Sequence, residues 1–354
     1  MFKSIDITEC WCGSKKLAKF SKHYLICESC KTLIASPRLS DEAYSSGDNK
    51  DNFYGKNYWV NHVREDYNFP DIFERSRLDI YERCTYWLKA IMKYKLPPAK
   101  TLELGCGHGG LVYLMNLIGY DATGSEMSPW LCSYASETFN INMLCGRIED
   151  MQISPCSLDA VIMMDVLEHM TDPLGSLTKI ANTLKDDGML VMQTPCFRNE
   201  NRSHLSLKRD KDIFLEQLKE KEHLYIFNVS SINQILKKVG LKYIYFEPEF
   251  FPYDMFLFAS KLPLVKFSED NIEKFLLSKA QNRIVLALLD LFDDKASLFF
   301  KFAESEADRE ARLKAIDELS KRLAESEADR EARLKAIDEL SKRLAESEAD
   351  REAR

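Results

Sequence analysis

The chain has 354 residues, more than one domain of ordinary size, and 45% of them are hydrophobic, which is enough for a substantial core. Its formal net charge of −7 gives no overall basic surface, so a nucleic-acid substrate is not expected. No apolar stretch reaches membrane-spanning length and the first residues form no hydrophobic signal region, so we expect a cytoplasmic protein.

Four of the ten cysteines lie in two pairs near the N-terminus, Cys10 with Cys12 and Cys27 with Cys30. Two cysteine pairs beside short β-like segments are typical of a zinc ribbon, in which four thiolates complete a closed tetrahedral site. We therefore predict a zinc-ribbon-like segment at residues 1–45 that binds structural zinc. The first pair has one intervening residue where two are usual, and a reduced knuckle without metal is the alternative.

A polar, glycine-containing linker with scattered aromatic residues is predicted next, and covering helices follow it, so that the two together span residues 46–98. Apolar residues recur at helical spacing over 71–95, and the pair Pro97-Pro98 ends that helix. We expect this helix to cover one face of the sheet whose first strand follows it.

The sequence TLELGCGHGGLVYLM, residues 101–115, joins a short apolar run to a glycine-rich turn and then to an apolar segment with helical spacing. This pattern predicts a strand, a tight turn and a helix. Glycines in such a turn let backbone N–H groups approach a bound ligand closely. Gly105, Gly107 and Gly110 nearly match the dinucleotide fingerprint, so a nicotinamide cofactor is one candidate ligand, and a phosphate group is another.

Two acidic residues favour a different ligand. Glu103 precedes the first glycine by two residues, where it would repel a pyrophosphate and attract a cation, and Glu126 ends the next strand. The whole pattern resembles motif I and the ribose-binding acid of class I S-adenosylmethionine-dependent methyltransferases. In that family the second acid accepts both ribose hydroxyls; a helix N-cap is its alternative role. The S-adenosylmethionine-binding residues that the resemblance implies are Glu103, Gly105, Cys106, Gly107, Gly109, Glu126, Met127, Ile148, Glu149, Asp150 and Asp165.

Predicted strands and helices alternate from residue 99 to residue 262, the predicted methyltransferase domain. The alternation predicts an α/β fold with a Rossmann-like, doubly wound, mostly parallel seven-stranded sheet, in which ligands bind beyond the carboxyl ends of the strands. The predicted strands are 100–104, 121–125, 141–145, 158–164, 188–194, 241–247 and 255–260, the last two antiparallel.

The third of these strands leads into Gly146 to Asp150, the position at which the resembled family contacts adenine. The backbone N–H near Ile148 and a carboxylate from Glu149 or Asp150 are the expected contacts. Arg147 stands where the family often has an acid, so the choice between the two carboxylates stays open.

The fourth strand ends in DVLEHMTDP, residues 165–173, which resembles a stretch shared by quinone-biosynthesis and sugar-modifying methyltransferases. Asp165 is expected near the transferred methyl group. His169 is the candidate general base for an acceptor hydroxyl, since histidine takes up a proton near neutral pH. A structural hydrogen bond is its alternative role, and an acceptor carboxylate or phosphate would need no base.

Residues 196–230 interrupt the alternation of strands and helices. In the resembled family an insertion at this point forms part of the lid over the acceptor. The resemblance therefore makes His223 a second candidate base and Tyr225 a further site candidate.

Beyond residue 262 the sequence pattern predicts helices. We predict an amphipathic helical region at 263–302, with one helix from Asn271 to Phe302 that packs on the domain or on a second protomer; membrane contact is the alternative. From Ala303 a unit of 21 residues, or three heptads, repeats and keeps one helix face in register. We expect residues 303–354 to form a coiled coil that holds the subunits of a homo-oligomer together and acts as a spacer. Half of its seam is polar, so an isolated charged helix is the alternative.

The combination of a cysteine ribbon, a methyltransferase and a charged repeat resembles bacterial surface-polysaccharide enzymes, notably those that terminate O-antigen chains. The resemblance implies methylation of a hydroxyl or phosphate at the end of a lipid-linked oligosaccharide during lipopolysaccharide synthesis. It also implies a glycosyltransferase or polymerase partner bound by the C-terminal helix, at the cytoplasmic face of the inner membrane. One alternative is an O-methyltransferase for a sugar nucleotide or quinone precursor, whose tail only oligomerises it. The other is a scaffold without catalysis.

Overall fold

The computed structural model describes residues 4–44, 53–67 and 69–352. The beginning of the predicted linker, residues 46–52, lies outside the described residues. The chain divides into two compact units, Met1–Phe292 and Asp293–Arg354. In the described ranges, no helix is both long and apolar enough to cross a lipid bilayer.

The elements of the described residues are numbered here in chain order. The strands are β1 (Ser4–Ile5), β2 (Leu17–Lys19), β3 (Tyr24–Cys27), β4 (Leu33–Ala35), β5 (Arg38–Leu39), β6 (Lys100–Leu104), β7 (Asp121–Glu126), β8 (Asn142–Cys145), β9 (Leu158–Met164), β10 (Leu184–Pro195), β11 (Tyr225–Ile226), β12 (Tyr243–Glu247) and β13 (Asp254–Ser260). The α-helices are α1 (Val63–Tyr67), α2 (Ile72–Asp79), α3 (Thr85–Met92), α4 (Gly110–Ile118), α5 (Pro129–Phe139), α6 (Pro173–Thr183), α7 (His204–Arg209), α8 (Val229–Lys238), α9 (Glu269–Leu277) and α10 (Arg283–Glu352).

The main sheet has seven strands in the order β12-β13-β10-β9-β6-β7-β8. Its strands are parallel except that β13 runs antiparallel to both of its neighbours. The chain leaves β6 towards β7 on one side and returns to β9 on the other, which opens a cleft at the carboxyl ends of these strands. This confirms the predicted Rossmann-like doubly wound sheet and its last two antiparallel strands.

The core covers both faces of this sheet. Val161 and Met163 of β9 pack with α6 and α8 on one face. Ile162 and Met164 alternate with them and pack with α3 and α4 on the other. Full burial of a side chain of this size stabilises the fold by about 1.5–3 kcal/mol, so the two-sided strand anchors the residues that follow it.

The helix predicted at 71–95 is observed as a continuous helical run from Ile72 to Met92. The Asp71 carboxylate caps its N-terminus by accepting from the backbone N–H groups of Phe73 and Glu74. A π-helical turn at Ile80–Cys84 lies in the middle of the run, where such turns are rare and often occur near functional sites.

The single helix predicted from Asn271 to Phe302 is wrong in its extent. Helix α9 ends at Leu277, and α10 begins at Arg283. The break lets Leu276 of α9 and Leu289 of α10 both reach the same side of the core. In a continuous helix the directions of these two side chains would be fixed relative to each other. The periodicity of apolar residues does not indicate the break between α9 and α10.

Within the second unit, α10 runs through the repeats without a break as far as Glu352. Pairs of opposite charge four residues apart stabilise it, such as Lys321 with Asp317 at 2.8 Å. The apolar heptad residues Ile316, Leu319 and Leu323 are about 60% exposed. The long helix is confirmed, and its pairing with another helix stays a prediction.

Candidate active site

The glycine-rich turn lies between β6 and α4, at the carboxyl edge of the sheet. Gly105, Gly107 and Gly109 have φ angles of +64°, +55° and +83°, which favour glycine. A Cβ atom on Gly105 would lie 2.7 Å from Val166 Cγ2, whereas one on Gly107 would meet nothing within 4 Å. The first glycine is therefore required by packing, and Gly107 borders open space where a ligand could lie against the backbone.

A cavity of about 160 Å³ lies on the β7 and β8 side of this turn. Glu126 lines it from the end of β7, and its Oε1 accepts a hydrogen bond of 2.8 Å from Met127 N. Burial raises the pKa of this carboxyl. The residues predicted to bind the cofactor that line this cavity are Gly105, Glu126, Met127, Ile148, Glu149 and Asp165.

A second cavity of about 350 Å³ lies on the other side of the turn. Glu103, Cys106 and Gly107 line it near the turn, and His223 lines it from the insertion. Both cavities are lined by Gly105, Asp165 and His169, so they adjoin at the end of β9. An elongated ligand could occupy the first cavity and place its reactive end in the second.

Glu103 is buried at the base of the second cavity, and its Oε2 has no hydrogen-bond partner among the described residues. Burial raises the pKa of this carboxyl to about 8. A buried carboxylate is unfavourable unless a cation or donor compensates it. The site therefore fits a ligand that brings a positive group to Glu103.

Asp165 follows β9 with a φ of +56°, a conformation that is uncommon for residues other than glycine. Gln193 Nε2 donates to its two carboxylate oxygens at 3.0 and 3.3 Å. The Gln193 Oε1 accepts in turn from Trp87 Nε1 at 3.1 Å, so both ends of the glutamine are fixed. Asp165 is thus held in one orientation where the two cavities meet.

His169 and His223 lie close together, with ring centroids 5.1 Å apart. The Nδ1 of His169 is 2.8 Å from the carbonyl of Glu222, and the Nδ1 of His223 is 2.8 Å from the carbonyl of Gln217. A carbonyl only accepts hydrogen bonds, so each Nδ1 carries a proton and donates it, which leaves a lone pair on each Nε2.

The pKa values of both histidines are lowered, chiefly by burial, and that of His223 lies well below the ordinary value. Both rings are therefore neutral at pH 7. A neutral imidazole with a free Nε2 can accept a proton, which is the role predicted for both residues.

Residues 76–245 match the sequence profile of a family described as a methyltransferase domain. This chain contains a class I methyltransferase domain. Its core is the seven-stranded sheet together with the glycine-rich turn and the two acids at Glu103 and Glu126.

Curated relatives match part of the chain. A ubiquinone biosynthesis O-methyltransferase of Xanthomonas campestris pv. campestris is 33% identical over 105 residues, covering 28% of this chain and 44% of the relative. The mitochondrial ubiquinone biosynthesis O-methyltransferase of Schizosaccharomyces pombe is 32% identical over 102 residues, covering 27% and 37%. The chain spans less than half the length of these curated relatives.

Two solved structures match the chain at low sequence identity. The magnesium protoporphyrin IX methyltransferase of Synechocystis PCC 6803, solved with S-adenosylhomocysteine, is 18% identical; the match covers 64% of this chain and 92% of that one, with a TM-score of 0.40. The PH0226 protein of Pyrococcus horikoshii is also 18% identical, covering 58% and 95%, with a TM-score of 0.40.

Three of the residues predicted for the methyl-transfer site lie outside both cavities. Gly109 is the N-cap of α4, and Tyr225 lies buried in β11. Asp150 ends a short helical turn and is exposed. The Glu149 carboxylate does line the first cavity, but Ser176 Oγ and Arg147 Nε already contact its two oxygens.

The sequence analysis missed four buried acids that line the second cavity, Asp79, Glu168, Glu222 and Asp254. Thr194 Oγ1 donates to Glu168 Oε2 at 3.0 Å, while Glu168 Oε1 and both oxygens of Asp254 have no partner among the described residues. Burial raises the pKa of Glu168 well above its ordinary value and that of Asp254 to about 10. Glu168 also places a ligand atom within 4.8 Å of His169 and His223, a set that could bind a divalent cation.

The four predicted zinc ligands are brought together at the N-terminus. Their sulfur atoms all lie within 4.8 Å of one another, with Cys10 and Cys30 at 3.5 Å and Cys12 and Cys27 at 3.7 Å. Sulfurs about 3.8 Å apart are expected around tetrahedral zinc with Zn–S bonds near 2.3 Å. The contact between Cys10 and Cys30 lowers the pKa of Cys30 and raises that of Cys10, as expected for two thiols that share one proton.

Proposed function

We propose that this chain transfers the methyl group of S-adenosylmethionine to an oxygen atom of a small, hydroxyl-bearing acceptor. The observation that carries this proposal is the pair of adjacent histidines, His169 and His223, in the cavity that adjoins the glycine-rich turn at Asp165. Transfer to a hydroxyl needs a base for the acceptor proton, and these rings provide one.

The residues around the turn fit the cofactor. The open side of Gly107 admits a ligand against the backbone, and the unpaired oxygen of Glu103 suits the ammonium of the methionine part. Glu126 in the first cavity suits the two ribose hydroxyls. S-adenosylmethionine brings a methyl group that is already activated on a sulfonium, so the protein has mainly to align the acceptor and exclude water.

The acceptor proton would pass to Nε2 of His169 or His223 as the new carbon–oxygen bond forms and the carbon–sulfur bond breaks. The Nδ1 donation to a backbone carbonyl fixes each ring and stabilises the imidazolium that results. Because both histidine pKa values are lowered, the proton is released readily to solvent after turnover.

The second cavity supports an aromatic acceptor. Its walls include Trp59, Phe69, Phe251 and Tyr253, whose rings offer apolar area and stacking. The named relatives act in ubiquinone biosynthesis, which supports a phenolic quinone precursor over a sugar chain. The small-molecule alternative of the sequence analysis is therefore the better supported one.

A second candidate acceptor, the end of a surface polysaccharide, is favoured only by the 21-residue repeats of α10. A repeated helix adds length without new chemistry and would suit a spacer bound to a polymerase. This candidate predicts that removal of residues 324–344 changes product length while methyl transfer is kept; unchanged length would dismiss it.

The proposal is tested by following labelled methyl from S-adenosylmethionine to a panel of acceptors. The panel contains phenolic and catecholic quinone precursors, nucleotide sugars, and oligosaccharides with and without a terminal phosphate. We expect label on a phenolic oxygen. Label on an oligosaccharide end would favour the polysaccharide candidate, and label on nitrogen or carbon would overturn oxygen transfer.

A further inference from the structure

The small N-terminal sheet that contains the cysteine cluster is completed by a strand of the methyltransferase domain. Strand β4 pairs antiparallel with β11, Ile34 opposite Tyr225 and Leu33 opposite Ile226. The pairing continues beyond the strand, because Ala35 N donates to the carbonyl of Leu224 at 2.9 Å. Residues 224–226 therefore belong to the cysteine ribbon as much as to the catalytic domain.

The same segment holds the two histidines on its other side. Leu224 N donates to the carbonyl of Glu168 at 2.7 Å, and the carbonyl of Glu222 accepts from His169 Nδ1. His223 itself lies between these two anchors. Any shift of the backbone at 222–224 would move His223 and release His169 from the carbonyl that orients it.

Two contacts connect this segment directly with the cysteine hairpin. The buried Tyr24, first residue of β3, donates its hydroxyl to the carbonyl of His223 at 2.7 Å. Asn228 Nδ2 donates to the carbonyl of Cys30 at 3.1 Å. Since β3 ends at Cys27, both contacts start within a few residues of a predicted metal ligand.

We propose that the cysteine ribbon positions the acceptor half of the active site. Closure of the four-cysteine site by zinc holds β3 and β4, and these hold the backbone of residues 222–224 and with it both histidines. Tyr24 is a positioning residue, since it acts through the carbonyl of His223. The catalytic consequence rests on the proposed methyl transfer, but the coupling of the ribbon to residues 222–226 does not.

The coupling is tested by hydrogen exchange on the full chain with zinc bound and after zinc is removed by a chelator and then restored. We expect zinc removal to speed exchange of the amides of residues 222–226 by about tenfold or more, as loss of a supporting contact does at metal sites. Residues 189–193 in the centre of the main sheet serve as the internal control. Fast exchange in the ribbon with unchanged exchange at 222–226 would overturn the proposal.

A matched pair of variants tests the same idea with zinc kept in place. Tyr24→Phe removes the hydroxyl that reaches His223. Tyr120→Phe removes the hydroxyl of another buried tyrosine, which donates to the carbonyl of Lys95 and lines neither cavity. We expect only Tyr24→Phe to speed exchange at 222–224 and to lower kcat, by about fivefold, the worth of one hydrogen bond.

S-adenosylhomocysteine affinity should stay within about twofold in both tyrosine variants, because the cofactor residues lie outside this network. Equal exchange and equal kcat in Tyr24→Phe and Tyr120→Phe would overturn the positioning role. If no acceptor is methylated by the unaltered chain, the proposed function fails, and the exchange data still decide the coupling.

Discussion

At the scale of single residues, the second cavity is distinguished by buried carboxyl groups that lack hydrogen-bond partners. Glu103 and Asp254 are each at most 5% exposed, and in the described part of the chain three of their four oxygens accept no hydrogen bond. Buried carboxyl groups of this kind stay protonated until a positive group approaches, so ligand binding and proton release are linked here.

We predict that the affinity for S-adenosylhomocysteine rises with pH. The carboxylate form of Glu103 binds the ligand ammonium, and its pKa of about 8 means that the carboxyl is mostly protonated below that pH. Affinity should then rise by up to about tenfold per pH unit below the pKa and level off above it. Calorimetric titration at several pH values measures this, and Glu103→Gln should bind weakly with no such rise.

Gly107→Ala should weaken S-adenosylhomocysteine binding by at least about tenfold, because the added methyl group occupies the space left for the ligand. The matched control is Gly240→Ala, which also has a positive φ and open space around the added Cβ but lies outside both cavities. Both variants carry a similar backbone strain, so thermal unfolding should change alike. Equal affinity in the two would contradict the role of Gly107.

His169→Gln should lower methyl transfer to a hydroxyl by about 100-fold or more, the usual loss when a general base is removed. Because burial lowers its pKa, the neutral base persists at pH 7, and kcat/KM should fall with acid only below the ordinary value of 6.5. His204→Gln, at a histidine that lines neither cavity, is the control. If kcat/KM still falls at acid pH in the same way in His169→Gln, another residue acts as the base.

The positions of Glu103, Glu126, Asp165 and His169 could be predicted because each lies in a short stretch that resembles a methyltransferase motif. Asp254 could not. It enters the site because the register of β13 places it opposite Pro195 at the end of β10. Such a pairing depends on which strands become neighbours, and no local pattern encodes it.

At the scale of elements, the strands of the main sheet follow from their apolar runs, because strands covered on both faces are nearly continuous in hydrophobicity. Strand β11 was missed, since two residues in an insertion give no periodicity. Its partner β4 lies almost two hundred residues earlier in the sequence. The contact that fixes the histidines was therefore the part of the site least accessible from sequence.

The repeats of α10 lead to a prediction about helix register. Deletion of residues 324–330 removes one whole heptad and keeps Ile316, Leu319 and Leu323 in register with Ile337, Leu340 and Leu344. We expect this variant to have a shorter helix and to self-associate as strongly as the full chain, as measured by sedimentation equilibrium. Deletion of residues 324–332, which is not a multiple of seven, should weaken it. Equal association of both variants would contradict a heptad seam.

At the scale of the whole molecule, the chain has two compact units that differ in character. The first contains the sheet, the cysteine cluster and both cavities, and the second is helix α10 beyond Phe292. The C-terminal repeats could be told apart from the catalytic motifs in the sequence because the repeats have a period of 21 residues and the motifs have no period. What the helix binds could not be predicted, since its apolar residues are interrupted by charge.

Truncation after Phe302 should therefore leave cofactor binding within about twofold of the full chain while abolishing self-association. Calorimetry and sedimentation of the same sample measure the two properties. A truncated chain that still associates would place the oligomer contact within residues 1–302.

The central claim, that this chain uses S-adenosylmethionine, is tested most directly by titrating S-adenosylhomocysteine into the unaltered protein and into Glu126→Gln. We expect saturable one-to-one binding to the unaltered protein and binding at least about tenfold weaker in the variant, which loses the charged acceptor for the ribose hydroxyls. Absence of binding to the unaltered protein, or equal binding to both, would contradict it.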